Sequence, residues 1–226
     1  MADTEVDIVG TLKGGVGKTR LAMMMALYLV TVKKRSVYLI DGDTISQTAY
    51  DWMKDAQRAP GVTWPERLTV VRHPFEDIDE HIDTVVKKAD HDHVIGDIGG
   101  GNRAVFEAAL TRAKRLFVPV GADPSETRKL PATWKSARNA AADSTVGGFA
   151  GYVVLSRTDH NTSLPREARD QLTVERQAAG REPYPLCDTE LVKRVAYQRA
   201  YATVPRDFLD VPALLAEVGV IEKESA

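Results

Sequence analysis

Gly10-Thr11-Leu12-Lys13-Gly14-Gly15-Val16-Gly17-Lys18-Thr19 is the stretch on which the fold turns. It follows a β-rich apolar run, Val6–Gly10, and opens a helical apolar pattern that starts near Gly17. Of the phosphate-loop pattern G-x-x-x-x-G-K-[ST], Gly17, Lys18 and Thr19 are in place, whereas Leu12 stands at the first fixed glycine. The physical requirements are still met. Gly14, Gly15 and Gly17 let backbone N–H groups turn inward around phosphate oxygens with no Cβ in the way. The N-terminus of the following helix adds partial positive charge. Lys18 would then reach the outer phosphates, and the Thr19 hydroxyl would ligate Mg²⁺. The bland alternative is a glycine-rich turn between a strand and a helix.

Working outward, short β-rich runs alternate with helical patterns, as expected of a doubly wound α/β fold with a mainly parallel sheet of about seven strands. The expected strands are Val6–Gly10, Ser36–Asp41, Leu68–Val71, His93–Asp97, Arg115–Val120, Gly148–Ser156 and a short one near Leu186. Helices are expected to start near Gly17, Ile78, Arg103, Ser125, Leu164 and Thr189. Asp51–Glu66, with Pro60-Gly61 and Pro65, reads as a surface excursion. The last helix, Val211–Val218, is punctuated by Asp210 as a cap, Pro212 in its first turn and Gly219 at its end. Without a linker or an internal repeat, residues 1–226 read as one domain.

Two further strands end in acids. Val37-Tyr38-Leu39-Ile40-Asp41-Gly42-Asp43 and His93-Val94-Ile95-Gly96-Asp97 bring carboxylates to the carboxyl edge of the sheet, where open α/β folds bind ligands. Such acids also serve as helix caps. Gly99, Gly100 and Gly101 follow Asp97, either to let backbone approach a phosphate and flex as a switch or as a permissive turn. His91 and His93 have no further metal ligands nearby in sequence and read as ordinary polar residues.

The run Lys13-Gly14-Gly15-Val16-Gly17-Lys18-Thr19 resembles the deviant Walker A motif of the ParA/MinD family of P-loop NTPases, and the chain resembles small plasmid-type ParA partition proteins most. In that family a lysine placed like Lys13 reaches across a dimer to the partner's nucleotide. The resemblance therefore implies ATP and Mg²⁺ as cofactors and an ATP-sandwich homodimer. It implies catalytic roles for Lys13, Lys18 and Asp43, with Asp43 orienting the attacking water. Nucleotide contacts would come from Gly14, Gly15, Val16, Gly17, Lys18, Thr19 and Arg20, with Asp41 in the neighbouring metal and switch network. Thr19 and, through water, Asp97 would hold the metal. Val153-Val154-Leu155-Ser156-Arg157-Thr158 resembles the family strand whose terminal arginine, here Arg157, lies near the base. Leu116–Val120 with Asp123-Pro124-Ser125, Asp51-Trp52 and Leu191–Tyr197 extend the resemblance over nearly the whole chain. Thr44-Ile45-Ser46-Gln47 replaces the usual Pro-Gln, and Ile98–Gly101 the usual Thr-Pro-Pro.

The 226 residues carry 30 Lys+Arg against 32 Asp+Glu, a formal charge of −2 that argues against constitutive nucleic-acid coating. The charge is uneven, however. Arg128, Lys129, Lys135 and Arg138 form one basic stretch, and Lys193, Arg194 and Arg199 another. Brought together in a dimer they would bind DNA without sequence preference; singly they are solvated helix faces. One cysteine excludes an internal disulfide and disfavours zinc or iron–sulfur sites. The acidic start and the lack of a long apolar run point to a cytoplasmic chain with no membrane, and the resemblance implies nucleoid association when ATP is bound. The expected function is ATP-driven partition of a plasmid, chromosome region or other cargo, with hydrolysis stimulated by a ParB-like centromere-binding partner. The alternatives are a biosynthetic ligase or kinase like dethiobiotin synthetase, and a MinD-like positioning regulator.

Overall fold

The computed structural model describes residues 3–44, 46 and 48–223. In chain order the elements begin with β1 (Glu5–Gly10), α1 (Lys18–Thr31), β2 (Val37–Asp41), α2 (Thr48–Arg58), β3 (Leu68–Arg72) and α3 (Ile78–Lys88). They continue with β4 (His93–Ile98), α4 (Arg103–Leu110), β5 (Arg115–Gly121), α5 (Pro124–Thr127), α6 (Leu130–Ala142) and β6 (Ala150–Thr158). The chain closes with α7 (Leu164–Leu172), α8 (Val174–Ala178), β7 (Leu191–Val192), α9 (Val195–Arg199) and α10 (Val211–Glu217). The seven strands form one sheet in the order β3-β2-β4-β1-β5-β6-β7, with every pairing parallel. After β1 the chain winds one way and after β4 the other, so the switch point lies at the carboxyl end of β1, where such sheets open a crevice.

Side chains alternate between the two faces, as the pleat requires. Val9, Leu39, Ile95, Phe117 and Val154 pack under α1, α2 and α10. Ile8, Ile40, Val94, Val118 and Leu155 pack under α3, α4, α6 and α7. Helix α1 is buried from Leu21 to Val30 because it lies between the sheet and α2 and α10, so it is apolar all round.

Four expectations need correction. The excursion expected at Asp51–Glu66 contains most of α2, where Ala49, Trp52 and Ala56 recur at helical spacing on its buried face; the loop signal of Pro60-Gly61 holds only beyond Arg58. The last strand is Leu191–Val192, while Leu186 makes an isolated bridge to Val153, and the helix expected near Thr189 starts at Val195. The Asp210 side chain does not cap α10: it accepts from the Val192 N–H at 3.0 Å and from Arg194 Nη1 at 2.8 Å. Gly219, at φ 71°, does follow the helix end as expected.

The fourth correction is His93, which is fully buried at the edge of the sheet opposite the phosphate loop. Its Nε2 accepts from Arg35 Nη1 at 2.6 Å, which leaves the proton on Nδ1, 3.4 Å from Asp7 Oδ2. Arg115 closes this network by donating from Nε to Asp7 Oδ1 at 2.6 Å and pairing with Glu5. Strands β1, β4 and β5 are thereby tied together below the core. His91 packs edge-on against Tyr38.

Candidate phosphate-binding site

The site is assembled by register. Val9 of β1 and Asp41 of β2 both pair with Asp97 of β4, so three strand ends meet in one row directly below the loop that leaves Gly10. Gly15 and Gly17 take φ values of 76° and 92°, a region that costs an L side chain strain, and Gly17 serves as the N-terminal cap of α1.

Two hydroxyls from distant parts of the chain pin this loop. Thr133 of α6 is fully buried; its Oγ1 accepts from the Leu12 N–H at 3.2 Å and lies 3.2 Å from Thr11 Oγ1. Ser156 of β6 donates from Oγ to the Val16 carbonyl at 2.7 Å. Neither residue was among the expected site residues. Nothing local in sequence marks them, because each acts on a segment more than a hundred residues away.

Lys18 is buried and donates from Nζ to the Lys13 carbonyl at 3.3 Å; among the described residues it pairs with no acid. Asp97 is only 1% exposed, and among the described residues neither of its oxygens has a partner at full hydrogen-bond geometry. Burial pushes its carboxyl up to about 7; the nearby Thr19 hydroxyl and Lys18 act against this, and Asp41 and Asp43 add to it. A fully buried carboxylate with unused oxygens beside a threonine hydroxyl is a hard oxygen donor set of the kind Mg²⁺ takes.

Asp41 behaves differently from its neighbour. Oδ1 accepts from the Asp43 N–H at 3.2 Å and Oδ2 from the Tyr50 N–H at 2.9 Å, so its oxygens tie Asp43 and the start of α2 to the end of β2. Asp43 receives two bonds from Ser46, at 3.0 Å from N to Oδ1 and 2.9 Å from Oγ to Oδ2. The glycines after β4 pack tightly here. A Cβ on Gly99 would lie 2.5 Å from Asp43 Cγ, and one on Gly100 would lie 2.8 Å from the Leu12 carbonyl.

Lys13, Gly14, Gly15, Val16, Gly17, Lys18, Thr19 and Arg20 thus lie together around the strand ends with Asp43 and Asp97. A cleft of about 610 Å³ opens over the loop, walled on its far side by Thr48 and Trp52 of α2 and by Tyr201. Trp52 is held there by Nε1 donating to the Thr203 carbonyl at 3.1 Å, and Tyr201 by its hydroxyl on Asp55 at 2.8 Å.

A second groove runs from Gly17 past Arg20 and Arg157 to Lys193 and Arg194. Arg157, at φ 57°, is braced by Glu126 at 2.6 Å. Arg20 Nε is buried without a hydrogen-bond partner, and burial followed by the Arg157 charge holds its guanidinium below the usual arginine range. Glu126 compensates the Arg157 charge, so the charge that favours an anion in this groove is that of Arg20.

The basic stretches part company in space. Arg128 and Lys129, between α5 and α6, and Lys135 and Arg138 of α6 are exposed and form no ion pair among the described residues. Arg199 is exposed on α9, whereas Lys193 and Arg194 line the groove beside the loop, with Arg194 neutralised by Asp210.

No protein-family model and no curated protein matches the chain. Solved structures do match. Cobyrinic acid a,c-diamide synthase from Mycobacterium smegmatis, with bound ADP and magnesium, is 16% identical, covers 96% of both chains and gives a TM-score of 0.68. The ATP complex of a variant of Cyanothece McdA is 14% identical over 100% of both chains, with a TM-score of 0.66. A plasmid partition protein from Borrelia burgdorferi B31 bound to AMPPNP is 14% identical over 96% of this chain and 98% of its own, with a TM-score of 0.65. The chain thus has the P-loop NTPase fold that these proteins share, the fold expected from its resemblance to the ParA/MinD ATPases.

Proposed function

We propose that the chain is an ATPase of the ParA/MinD type that binds ATP with Mg²⁺, closes into an ATP-sandwich homodimer, binds DNA without sequence preference and releases it on partner-stimulated hydrolysis. One observation carries the reading: the buried, unpartnered Asp97 carboxylate stands beside Thr19 and Lys18 under a glycine loop whose entrance carries a second lysine, Lys13. Bound ATP in McdA and AMPPNP in the Borrelia plasmid partition protein, both of this fold, support it.

In this reading Lys18 exchanges the Lys13 carbonyl for phosphate oxygens, and the inward N–H groups of Gly14, Gly15 and Gly17 hold the remainder. Thr19 and Asp97 would hold Mg²⁺, which supplies charge neutralisation on the phosphates when bound. Lys13 points its charge out of the loop toward the second subunit's nucleotide, and Asp43 holds the attacking water. Arg20 and Arg157 flank the groove in which the rest of the nucleotide lies. Nucleoid association, a ParB-like partner and a single domain over residues 1–226 belong to the same proposal.

The test is co-sedimentation of the chain with DNA in ADP, ATP and a nonhydrolysable analogue at two salt concentrations, alongside measurement of mass in solution. ATP and the analogue should raise both mass and DNA retention. Equal retention in all nucleotide states overturns the switch.

A second reading rests on the likeness to cobyrinic acid a,c-diamide synthase: a biosynthetic ligase on the same fold. Turnover strictly dependent on a small carboxylate-bearing metabolite, with no response to DNA, would favour it. A MinD-like membrane role is less well supported. No helix among the described residues is long and apolar enough to cross a membrane, and Val211, Leu214 and Leu215 of α10 are buried in the core rather than offered to lipid.

A further inference from the structure

Ser46 and Gly99, one from each of the two places where the chain departs from its family resemblance, meet at one side chain. Asp43 lies between them. Both of its carboxylate oxygens accept from the same residue, Ser46, the backbone N–H at 3.0 Å and the hydroxyl at 2.9 Å. An ionised carboxylate has about four acceptor sites, and two donors from one residue, one to each oxygen, orient its plane. The carboxyl group also rests against the bare α-carbon of Gly99. A methyl group there would lie 2.5 Å from Asp43 Cγ, well inside van der Waals contact, and Gly99 carries no positive φ that would itself demand glycine.

The next residue extends the relationship to the phosphate loop. A Cβ on Gly100 would meet the Leu12 carbonyl carbon and oxygen, both at 2.8 Å, and the Lys13 nitrogen at 3.1 Å. Backbone without side chains therefore fills the space between the Asp43 carboxylate and the Leu12–Lys13 backbone. The separation of these two groups is set by the thickness of that glycine pair, and Ser46 donates to both oxygens of the carboxylate.

We propose that Ser46 is a positioning residue for Asp43 and that Gly99 is the seat that fixes how far the carboxylate stands from the phosphate loop. The proposal rests on the reading of the chain as an ATPase in which Asp43 holds the attacking water. It assigns a purpose to both departures: the serine supplies the orienting donors, and the glycines supply the close approach. Misplacing a reacting group by about 1 Å costs roughly 100-fold in rate, and loss of a general base costs about 100- to 10,000-fold.

The experiment compares the wild-type chain with Asp43→Asn, Ser46→Ala, Ser46→Thr and Gly99→Ala. It measures steady-state and single-turnover hydrolysis of Mg-ATP together with affinity for a fluorescent ATP analogue. Asp43→Asn should lower kcat by at least ~100-fold. Ser46→Ala should lower kcat about 10-fold, with KM and analogue affinity within about twofold of wild type, and Ser46→Thr should restore most of the rate because it keeps the hydroxyl. Gly99→Ala should lower kcat about 100-fold, since the carboxylate and not the backbone yields to the new methyl. Combining Ser46→Ala with Asp43→Asn should cost no more than Asp43→Asn alone, as expected of residues acting through one group. Wild-type kcat in Ser46→Ala, with Asp43→Asn inactive, overturns the positioning role. So does a loss in Ser46→Ala that appears in affinity rather than kcat. Hydrolysis by Asp43→Asn at the wild-type rate, or a wild-type chain that turns over no ATP, instead overturns the reading of the site beneath it. Ser46 is exposed, so its substitution tests the proposal even if Gly99→Ala does not fold.

Discussion

Asp41 and Asp97 pair residue to residue on adjacent parallel strands, yet Asp41 accepts two backbone N–H groups whereas both Asp97 oxygens lack a full hydrogen bond. Burial therefore falls on Asp97 with only the Thr19 hydroxyl and Lys18 acting against it, and the adjacent Asp41 charge adds to it. A site that stores such an unfavourable charge is poised to gain from a cation.

That relationship predicts the pH dependence of stability in metal-free protein. The folded carboxyl titrates near 7 against an ordinary value of 3.8, so between these limits the folded chain holds a proton that the unfolded chain has lost. Stability from this group is full below about pH 4, falls as pH rises, and is lost above about 7. Asp97→Asn should consequently stabilise the metal-free chain by up to about 4 kcal/mol at pH 8, with the gain shrinking toward pH 4. Urea unfolding across that range measures it. The same substitution should abolish the Mg²⁺ dependence of nucleotide affinity, and in the wild type that affinity should weaken from pH 8 to pH 6 as Asp97 takes up its proton.

Thr133→Val removes one hydroxyl and keeps the volume. It leaves the Leu12 N–H and Thr11 hydroxyl without their buried partner, which should cost about 1–3 kcal/mol of stability. Because those groups lie at the entrance to the phosphate loop, nucleotide affinity should fall about tenfold as the loop loses its preorganised shape. Calorimetric titration with ATP checks this, and Thr133→Ser, which restores the hydroxyl, should recover the affinity.

What could be read from sequence was whatever chemistry a contiguous stretch declares. Gly14–Thr19 and the strand-end acids Asp43 and Asp97 are such stretches, and the winding of strands and helices follows from their periods. Helix α2 was obscured because Pro60-Gly61 and Pro65 carry a strong turn signal next to a helix whose buried spacing rests on only Ala49, Trp52 and Ala56. Thr133 and Ser156 were out of reach for another reason. A lone hydroxyl on a helix or strand declares nothing until folding sets it against a loop 121 or 140 residues away. The need for glycine at 99 and 100 is likewise a close approach in space, invisible in a turn-like sequence.

Gly17→Ala tests the left-handed cap of α1. At φ 92° an alanine is strained, and although no atom lies within 4 Å of its methyl, the backbone must shift to relieve the strain. A stability loss of about 1–2 kcal/mol is expected. Phosphate binding should suffer more than stability, because the N–H directions change with the backbone. Equilibrium unfolding and ATP titration on the same variant separate the two effects.

The basic residues divide by their surroundings, and that division predicts which of them DNA would feel. Lys135 and Arg138 stand one helical turn apart on the exposed face of α6 with no acid among the described residues paired to either, so a phosphate would replace only water and counterions there. Arg194 already spends its charge on Asp210 at 2.8 Å. Lys135→Ala and Arg138→Ala should therefore each weaken ATP-dependent DNA retention and reduce the slope of log affinity against log salt by about 1. Arg194→Ala should leave that slope nearly unchanged, and should instead loosen the Asp210 contact that ties β7 to α10. Fluorescence anisotropy with a labelled duplex over a series of salt concentrations, in ATP, resolves the two classes. An unchanged slope in Lys135→Ala and Arg138→Ala together would place the DNA surface elsewhere on the molecule.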